Sequence, residues 1–385
     1  MKSTRYWQTP NISILDHSEA KLPDEETVYA EVNPRSITEA LQSLGIPVNS
    51  CGMSSTPSSI IYSYRLCDLR HWSKLQKAIE PLSARLNKNI IFTSSEIGDF
   101  ALAISREKRS WVNLKSCLLA KTDFTDDCTL SDFARAGKQS DMTAILGYGQ
   151  KPLIIDIADA PHILAGGVSG SGKSTLLHTM LCSLMFNATP ATLGMIMIDV
   201  KKVELSQYRN VKFLERPIIT DAVEATMALE QICQVMEQRY EDILNGKPIT
   251  KRILIVIDEL TDAIMIGGDM FKRHLTRISQ MGRGCGLHLL CCTQNPLAKV
   301  CDTLIRSNFN ARIGLSVKEP NTARVVGVVG CDRLQGKGDA LWQSNDHTKL
   351  PERFQVAWTS ADDIKAITEY WSSNACIKEV AEDVA

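Results

Sequence analysis

The decapeptide Gly166-Gly167-Val168-Ser169-Gly170-Ser171-Gly172-Lys173-Ser174-Thr175 constrains this chain more than any other stretch. From Gly167 to Ser174 it has the spacing of a phosphate-binding loop, G-x-x-x-x-G-K-[ST]. Its flanks agree with its letters. His162-Ile163-Leu164-Ala165 is short and apolar enough for a buried strand, and Ser174 to Leu181 carries apolar residues at helical spacing. Strand, glycine turn and helix in that order aim backbone N–H groups and a helix N-terminus at one phosphate. Glycines are needed because side chains would block the approach and some positions require positive φ. Gly167, Val168, Ser169, Gly170, Ser171, Gly172, Lys173, Ser174 and Thr175 are therefore expected to cradle the phosphates of ATP. Lys173 should reach the β- and γ-phosphates, and the Ser174 hydroxyl should hold Mg²⁺.

At 385 residues the chain has room for two or three domains with cores of their own. No apolar run approaches the ~20 residues of a membrane span, and the N-terminus lacks the apolar centre of a signal peptide. A cytoplasmic protein without a membrane segment is expected. The 12 cysteines include no C-x-x-C pair, and Cys291-Cys292 lies in an apolar run. They read as small buried hydrophobes in a reducing compartment, not as zinc ligands. Net charge is −1 and acids balance bases in both halves, so any surface for nucleic acid must be local.

Residues 1–35 are polar and interrupted by Pro10, Pro23 and Pro34, which reads as an N-terminal arm. Residues 36–145 mix a short helix near Ser36–Leu44, strands near Ile60–Leu66, Asn89–Thr93 and Phe100–Ser105, and a helix over His71–Leu86. That helix puts Leu75, Ala78, Ile79, Leu82 and Leu86 on one face despite Pro81. A small α+β domain is expected there, with residues 120–142 looping over the surface. From residue 146 a hairpin leads into alternating buried strands and helices. The strands are His162–Ala165, Met195–Asp199, Ile253–Asp258, Leu287–Thr293 and Arg312–Val317. Helices are expected near Ser174–Phe186, Asp221–Leu244 and Met270–Gly282. This pattern predicts an α/β domain over 146–385 with a mainly parallel sheet covered on both faces.

A second chemical segment is Ile253-Leu254-Ile255-Val256-Ile257-Asp258-Glu259. Buried aliphatics end in two carboxylates at the carboxyl edge of a strand, where α/β sheets bind ligands. Asp258 is expected in the Mg²⁺ shell, and Glu259 is expected to orient and deprotonate an attacking water. A phosphotransferase has no need of a carboxylate over a water, so the pair favours hydrolysis. Gln294 ends the run Leu289-Leu290-Cys291-Cys292-Thr293 and could bond the γ-phosphate or its water. The plainer alternatives are a strand entering a helix N-cap and an ordinary loop glutamine.

Together these residues resemble a known family. His162–Gly166, Met197–Ser206, Asp258-Glu259-Leu260-Thr261-Asp262, Gly286–Leu289 and Thr293-Gln294-Asn295-Pro296 are similar to the FtsK/SpoIIIE DNA translocases over roughly residues 120–360. Val200 and Asn295 stand where the family usually has proline and arginine. The resemblance implies a RecA-like motor with Walker A and Walker B elements, preceded by a small domain and assembled as a hexameric ring around double-stranded DNA. The family's membrane and winged-helix domains are not expected in this chain. A build of this kind resembles translocases of mobile elements engaged in DNA transfer or packaging.

Arg312 matches the family's arginine after the glutamine motif and ranks first as a finger acting on a neighbour's nucleotide, ahead of Arg306 and Arg324. Lys201, Lys202, Arg277 and Arg283 are candidate contacts to DNA phosphates, though each taken singly fits a solvated surface charge. Two other functions stay open: an ATPase moving protein substrates, as in type VII secretion, and a nucleotide switch with no motor.

Overall fold

A computed structural model describes residues 3–15, 32–95, 97–119, 140–295, 303–346 and 348–381. Residues 16–31 of the expected arm, 120–139 of the expected surface loop and Pro296 of the glutamine motif lie outside the described residues.

The chain begins with β1 (Ser3–Trp7). Past it, Ile12 and Leu15 are buried in the main core, so this end of the polar arm is anchored by its few apolar residues. Helix α1 (Pro34–Ser43) starts where Asn33 accepts from the N–H of Arg35 and Pro34 takes the first helical turn. There follow β2 (Val48–Ser55), β3 (Ser59–Leu66), α2 (Trp72–Leu86), β4 (Ile90–Thr93) and β5 (Phe100–Ser105). The four strands form an antiparallel sheet of order β2-β3-β5-β4. Alternation along β3 sets its two faces. Ile60, Tyr62 and Tyr64 pack under the two helices against Ile37, Leu75 and Leu82. Ile61, with Ile91, Ala101 and Ala103, instead meets Val317, Val326 and Leu341 of the second half.

After α3 (Leu114–Leu119), the chain forms β6 (Thr143–Tyr148), β7 (Pro152–Asp156), β8 (His162–Gly166), α4 (Lys173–Asn187) and β9 (Leu193–Ile198). Then come α5 (Ala222–Leu244), β10 (Arg252–Ile257), α6 (Leu260–Met281), β11 (Leu287–Thr293), α7 (Thr303–Asn308) and β12 (Ala311–Leu315). The chain closes with α8 (Pro320–Val326), β13 (Asp339–Gln343), β14 (Glu352–Val356), α9 (Ala361–Ser372) and β15 (Ile377–Ala381). β15 pairs antiparallel with β1.

Nine strands make one sheet of order β7-β6-β14-β13-β12-β8-β11-β10-β9. Only the half from β12 to β9 is parallel. The half from β12 to β7 is antiparallel: short links join β6 to β7 and β13 to β14, a longer segment joins β12 to β13, and β14 meets β6 from far along the chain. In the parallel half each strand is buried on both faces: Leu254 and Val256 join one core, while Ile253, Ile255 and Ile257 join the other. Helix α4 fills the first core and is buried nearly all round, which explains why its sequence is apolar without a clear polar stripe. Asp221 caps α5 by accepting from the N–H groups of Val223 and Glu224. The helix expected from Met270 begins earlier, at Leu260, and is broken by Gly268 (φ 68°, ψ −158°). The positive φ of Gly268 kinks one long element without ending it.

Arg353, fully buried on β14, fixes the two halves to one another. Its guanidinium donates to both carboxylate oxygens of Asp339 (3.0 and 2.7 Å) and to the Ser105 hydroxyl on β5 (2.8 Å). Removing one partner of a pair buried this way costs roughly 3–5 kcal/mol, since the other charge is left without compensation.

Candidate functional site

The strand β8 ends at Gly166 and the loop 167–172 turns directly into α4. Gly172 is left-handed (φ 103°), and a Cβ there would lie 2.4 Å from the backbone nitrogen of Gly338. At Gly167 a Cβ would come within 2.6 Å of Leu315 and of the Ser171 hydroxyl. The glycines are thus set by close approach as well as by torsion. No side chain caps α4, so its first-turn N–H groups remain available to a ligand. A segment from far along the chain braces the loop from outside: Lys337 N–H donates to Gly170 O (3.1 Å) and Gly338 N–H to Ser171 O (2.7 Å). Sequence reasoning missed this brace. The run Gly336-Lys337-Gly338-Asp339 just before a strand was the available signal.

Lys173 and Asp258, both almost fully buried, pair at 2.5 Å, and Lys173 also donates to the Asp258 carbonyl (3.0 Å). Burial works against the Lys173 ammonium, but the facing thiol Cys292 and the carboxylates Asp258 and Glu259 outweigh it and hold its pKa above the ordinary lysine value. Burial lifts the Asp258 carboxyl, with Lys173 opposing and the charges of Glu204 and Asp199 adding to the rise. Glu259 is buried beside it. Its carboxylate accepts from the Thr293 hydroxyl (2.7 Å) and from the Gln294 backbone N–H (3.1 and 3.0 Å), and Lys201 lies 3.3 Å away. Gln294 therefore meets Glu259 through its backbone, while its side chain borders the same cleft.

Three further residues join the cluster without having been assigned there from sequence. The Ser174 hydroxyl donates to Glu204 (2.6 Å), which also faces His178 Nε2 at 3.4 Å. That His178 contact, helped by Ser174, holds the Glu204 carboxyl down at about 2. Asp199, at the end of β9 and therefore next to Asp258, is buried with its Oδ1 unpartnered and its Oδ2 accepting from the Leu205 N–H (3.0 Å). Lys201 bridges Glu259 and Asp262 (3.2 Å to the latter). The run Lys201–Glu204 follows a strand end in the sequence, but only the pairing of β9 with β10 shows that it reaches the acids.

Lys173, Ser174, Glu204 and Gln294 line a cleft of about 490 Å³ that also contains Val168, Thr175 and Lys337. A larger groove, about 780 Å³, runs between α5 and α6 past Glu237, Arg273 and Arg277, far from the phosphate loop in the chain and in chemistry. Among the described residues no three His, Cys, Asp or Glu side chains are grouped as a metal site. Mg²⁺ does not need such a cage, because it keeps water and substrate phosphates and takes one or two protein oxygens. Ser174, Asp258 and the unpartnered oxygen of Asp199 are hard donors of the required kind.

The remaining candidates are scattered. Arg312 is half-buried on β12, where its Nε donates to Phe309 O (2.9 Å) and its guanidinium lies under Gly327 at the end of α8. Lys201 and exposed Lys202 are at the edge of the sheet that carries the phosphate loop. Arg277 pairs with Glu237 on the α5–α6 surface (2.8 Å), and exposed Arg283 lies past the end of α6, before the start of β11. The fold therefore does not bring the four cations to one place. No helix among the described residues is long and apolar enough to cross a membrane.

Comparison with known proteins agrees with this geometry. Residues 137–249 match the FtsK/SpoIIIE family model. The chain is 28% identical over 384 residues to the DNA translocase SftA of Bacillus subtilis, covering 94% of this chain and 39% of that protein. It is 31% identical over 242 residues to the DNA translocase FtsK of Staphylococcus epidermidis, covering 57% of this chain and 30% of the relative. The chain thus spans about a third of the length of the curated relatives it matches. Among solved structures it shares its fold with the pCW3 conjugation coupling protein TcpA in a monomer form with ATPγS (TM-score 0.56, 18% identity, 87% of this chain and 98% of that one). The cytoplasmic domain of the Thermomonospora curvata type VII secretion ATPase EccC has the same fold over 59% of this chain and 31% of its own (TM-score 0.50, 23% identity). The mixed sheet with its phosphate loop is a P-loop fold of RecA-like type, and the chain is similar to the FtsK/SpoIIIE family through residues 137–249 and to proteins named DNA translocases beyond them.

Proposed function

We propose that this chain binds ATP with Mg²⁺ at the phosphate loop, hydrolyses it, and couples hydrolysis to movement along double-stranded DNA as a ring of identical subunits, taken to be a hexamer. The observation that carries the chemistry is Glu259. It is a buried carboxylate fixed by the Thr293 hydroxyl and the Gln294 N–H, one residue beyond the Asp258 that pairs with Lys173. A base held this way is oriented before substrate arrives, so little reorganisation remains at the moment of reaction. Lys173 would leave Asp258 for the β- and γ-phosphates, with the first-turn N–H groups of α4 around them. Ser174 and Asp258 would hold Mg²⁺, which neutralises charge developing on the transferred group.

The DNA part of the reading rests on the similarity to proteins named DNA translocases along 94% of the chain. With a balanced charge, contact is expected through a few local cations, Lys202 foremost, reading phosphates and no base sequence. ATP turnover should rise on adding duplex DNA, equally for unrelated sequences, and binding should weaken steeply with salt. Each phosphate neutralised adds about −0.9 to the slope of log K against log salt. Turnover indifferent to DNA would sink the motor reading and leave an ATPase of another purpose.

Arg312 is proposed as the residue completing a neighbour's site. Mixing Arg312→Ala with Lys173→Ala subunits tests it, since each supplies what the other lacks. Partial recovery of turnover is expected, and rings that never recover it would place the role of Arg312 inside its own subunit.

A further inference from the structure

We propose that Trp111 and Trp358 form the nucleobase platform of the cleft, so that the site takes a nucleoside triphosphate and discriminates against bare polyphosphate. This deepens the reading of the phosphate loop and rests on it.

Both indoles border the cleft that holds Lys173, Ser174 and Thr175. The chain has six tryptophans, and these two are the most exposed, at 52% and 51%. Trp342 and Trp371, by contrast, are buried. Two large aromatic side chains left half in water beside a polar cleft are unusual unless something covers them. Their neighbours Val112 and Val356 are buried, so the exposure is not a fraying of the local chain.

The pair is also held in place before any ligand binds. Trp358 N–H donates to Val112 O (2.7 Å), and Leu114 N–H donates to Trp358 O (2.9 Å). This short backbone ladder, closed by the Asn113–Trp358 bridge, fixes Trp111 against Trp358 although 246 residues separate them. The rings meet nearly edge-on, with centroids 6.2 Å apart and planes at 63°. No flat ring fits between planes at that angle. One indole therefore braces the other and leaves an open face, on which a base can stack. Binding to such a prepared surface loses little side-chain freedom.

The polar cluster of the cleft accounts for phosphates and cation only. Lys173, Ser174, Asp258 and Glu259 all act at the phosphate end, and the tryptophans supply the apolar surface that a base requires.

The test measures binding of AMP-PNP and of inorganic tripolyphosphate, each with Mg²⁺, by calorimetry on the full chain. Wild type is compared with Trp111→Ala, Trp358→Ala and the two phenylalanine variants. The alanine variants should lose about 5- to 150-fold in AMP-PNP affinity, the range of one base stacked on an aromatic ring. Phenylalanine should restore most of it, and tripolyphosphate should bind all five proteins alike. AMP-PNP, but not tripolyphosphate, should quench the tryptophan fluorescence of wild type. Unchanged AMP-PNP affinity in both alanine variants, with tripolyphosphate still bound, would overturn the platform and leave the phosphate loop standing. Equal weakening of both ligands would mean that the rings only support the loop's fold, and would overturn the platform too. If wild type binds neither ligand, the phosphate-loop reading fails first and the platform falls with it.

Discussion

The two ends of the parallel strands treat buried charge in opposite ways. At the carboxyl ends, Asp258 and Glu259 are buried yet paired or hydrogen-bonded, with Lys173 and Lys201 against them. At the amino ends, His162 on β8 and His288 on β11 are buried with no hydrogen-bond partner on any ring nitrogen. Burial, aided by His288 and by Arg283, pushes His162 down to about 3; burial and then Arg252 push His288 down to about 4. One end gathers ions and the other suppresses them, within a single sheet and at similar depth. Burial alone therefore says nothing about function. What distinguishes the working end is that its ionisable groups have been supplied with partners.

The largest effect expected from disturbing this contrast is at Glu259. Glu259→Gln keeps the Thr293 and Gln294 contacts nearly isosteric while removing the base. Turnover should fall by roughly 10²- to 10⁴-fold, the usual contribution of a positioned general base, with ATP affinity little changed. Rapid-quench and binding measurements on the same protein separate the two quantities. Persistent turnover would remove the claim that this carboxylate differs in kind from the buried groups opposite.

Lys173→Ala should act on binding, raising the Kd for ATP by about 10- to 150-fold, the worth of one or more charge-assisted hydrogen bonds. Equal loss of affinity in both variants would blur the division of labour between the two neighbouring pairs.

The histidines have no expected effect on turnover or ATP binding; theirs appears in stability alone. Their folded pKa values lie below the ordinary 6.5, so the unfolded chain takes up the protons first. Stability is then full above about pH 6.5 and is lost as pH falls toward 4, by about 1.4 kcal/mol per pH unit for each histidine. His162→Phe with His288→Leu should flatten that limb in melts from pH 7 to 4 while ATP binding at pH 7.5 stays as in wild type. An unaltered acid limb would show that other groups govern it.

Much of the working end was legible in the sequence, for a physical reason. The phosphate loop and the Asp258-Glu259 strand end are local strings whose backbone shape and chemistry are fixed within a few residues. Glu204, Asp199 and Lys201 reach the acids only through the register of β9 with β10, which no local pattern encodes. The Lys337–Gly338 brace and the tryptophan pair arrive from still farther along the chain. The antiparallel half of the sheet was hidden by its short strands, which look alike whether they lie in a parallel or an antiparallel ladder. Ile12 and Leu15 were lost in a polar context, where two apolar residues carry no periodicity.

Gly338 and Asp339 are consecutive, and that adjacency has a mechanical meaning. Gly338 is bonded to the phosphate loop at Ser171, while Asp339 is clamped by Arg353, whose Nη2 also donates to Ser105 on the small sheet. The route from loop to small sheet thus runs through two neighbouring residues and one side chain, every link hydrogen-bonded and almost every one out of water. Such a linkage has no slack. A shift of the loop backbone must either be carried along this route toward β5 or break one of its bonds. The two halves are consequently tied together at the brace of the phosphate loop itself.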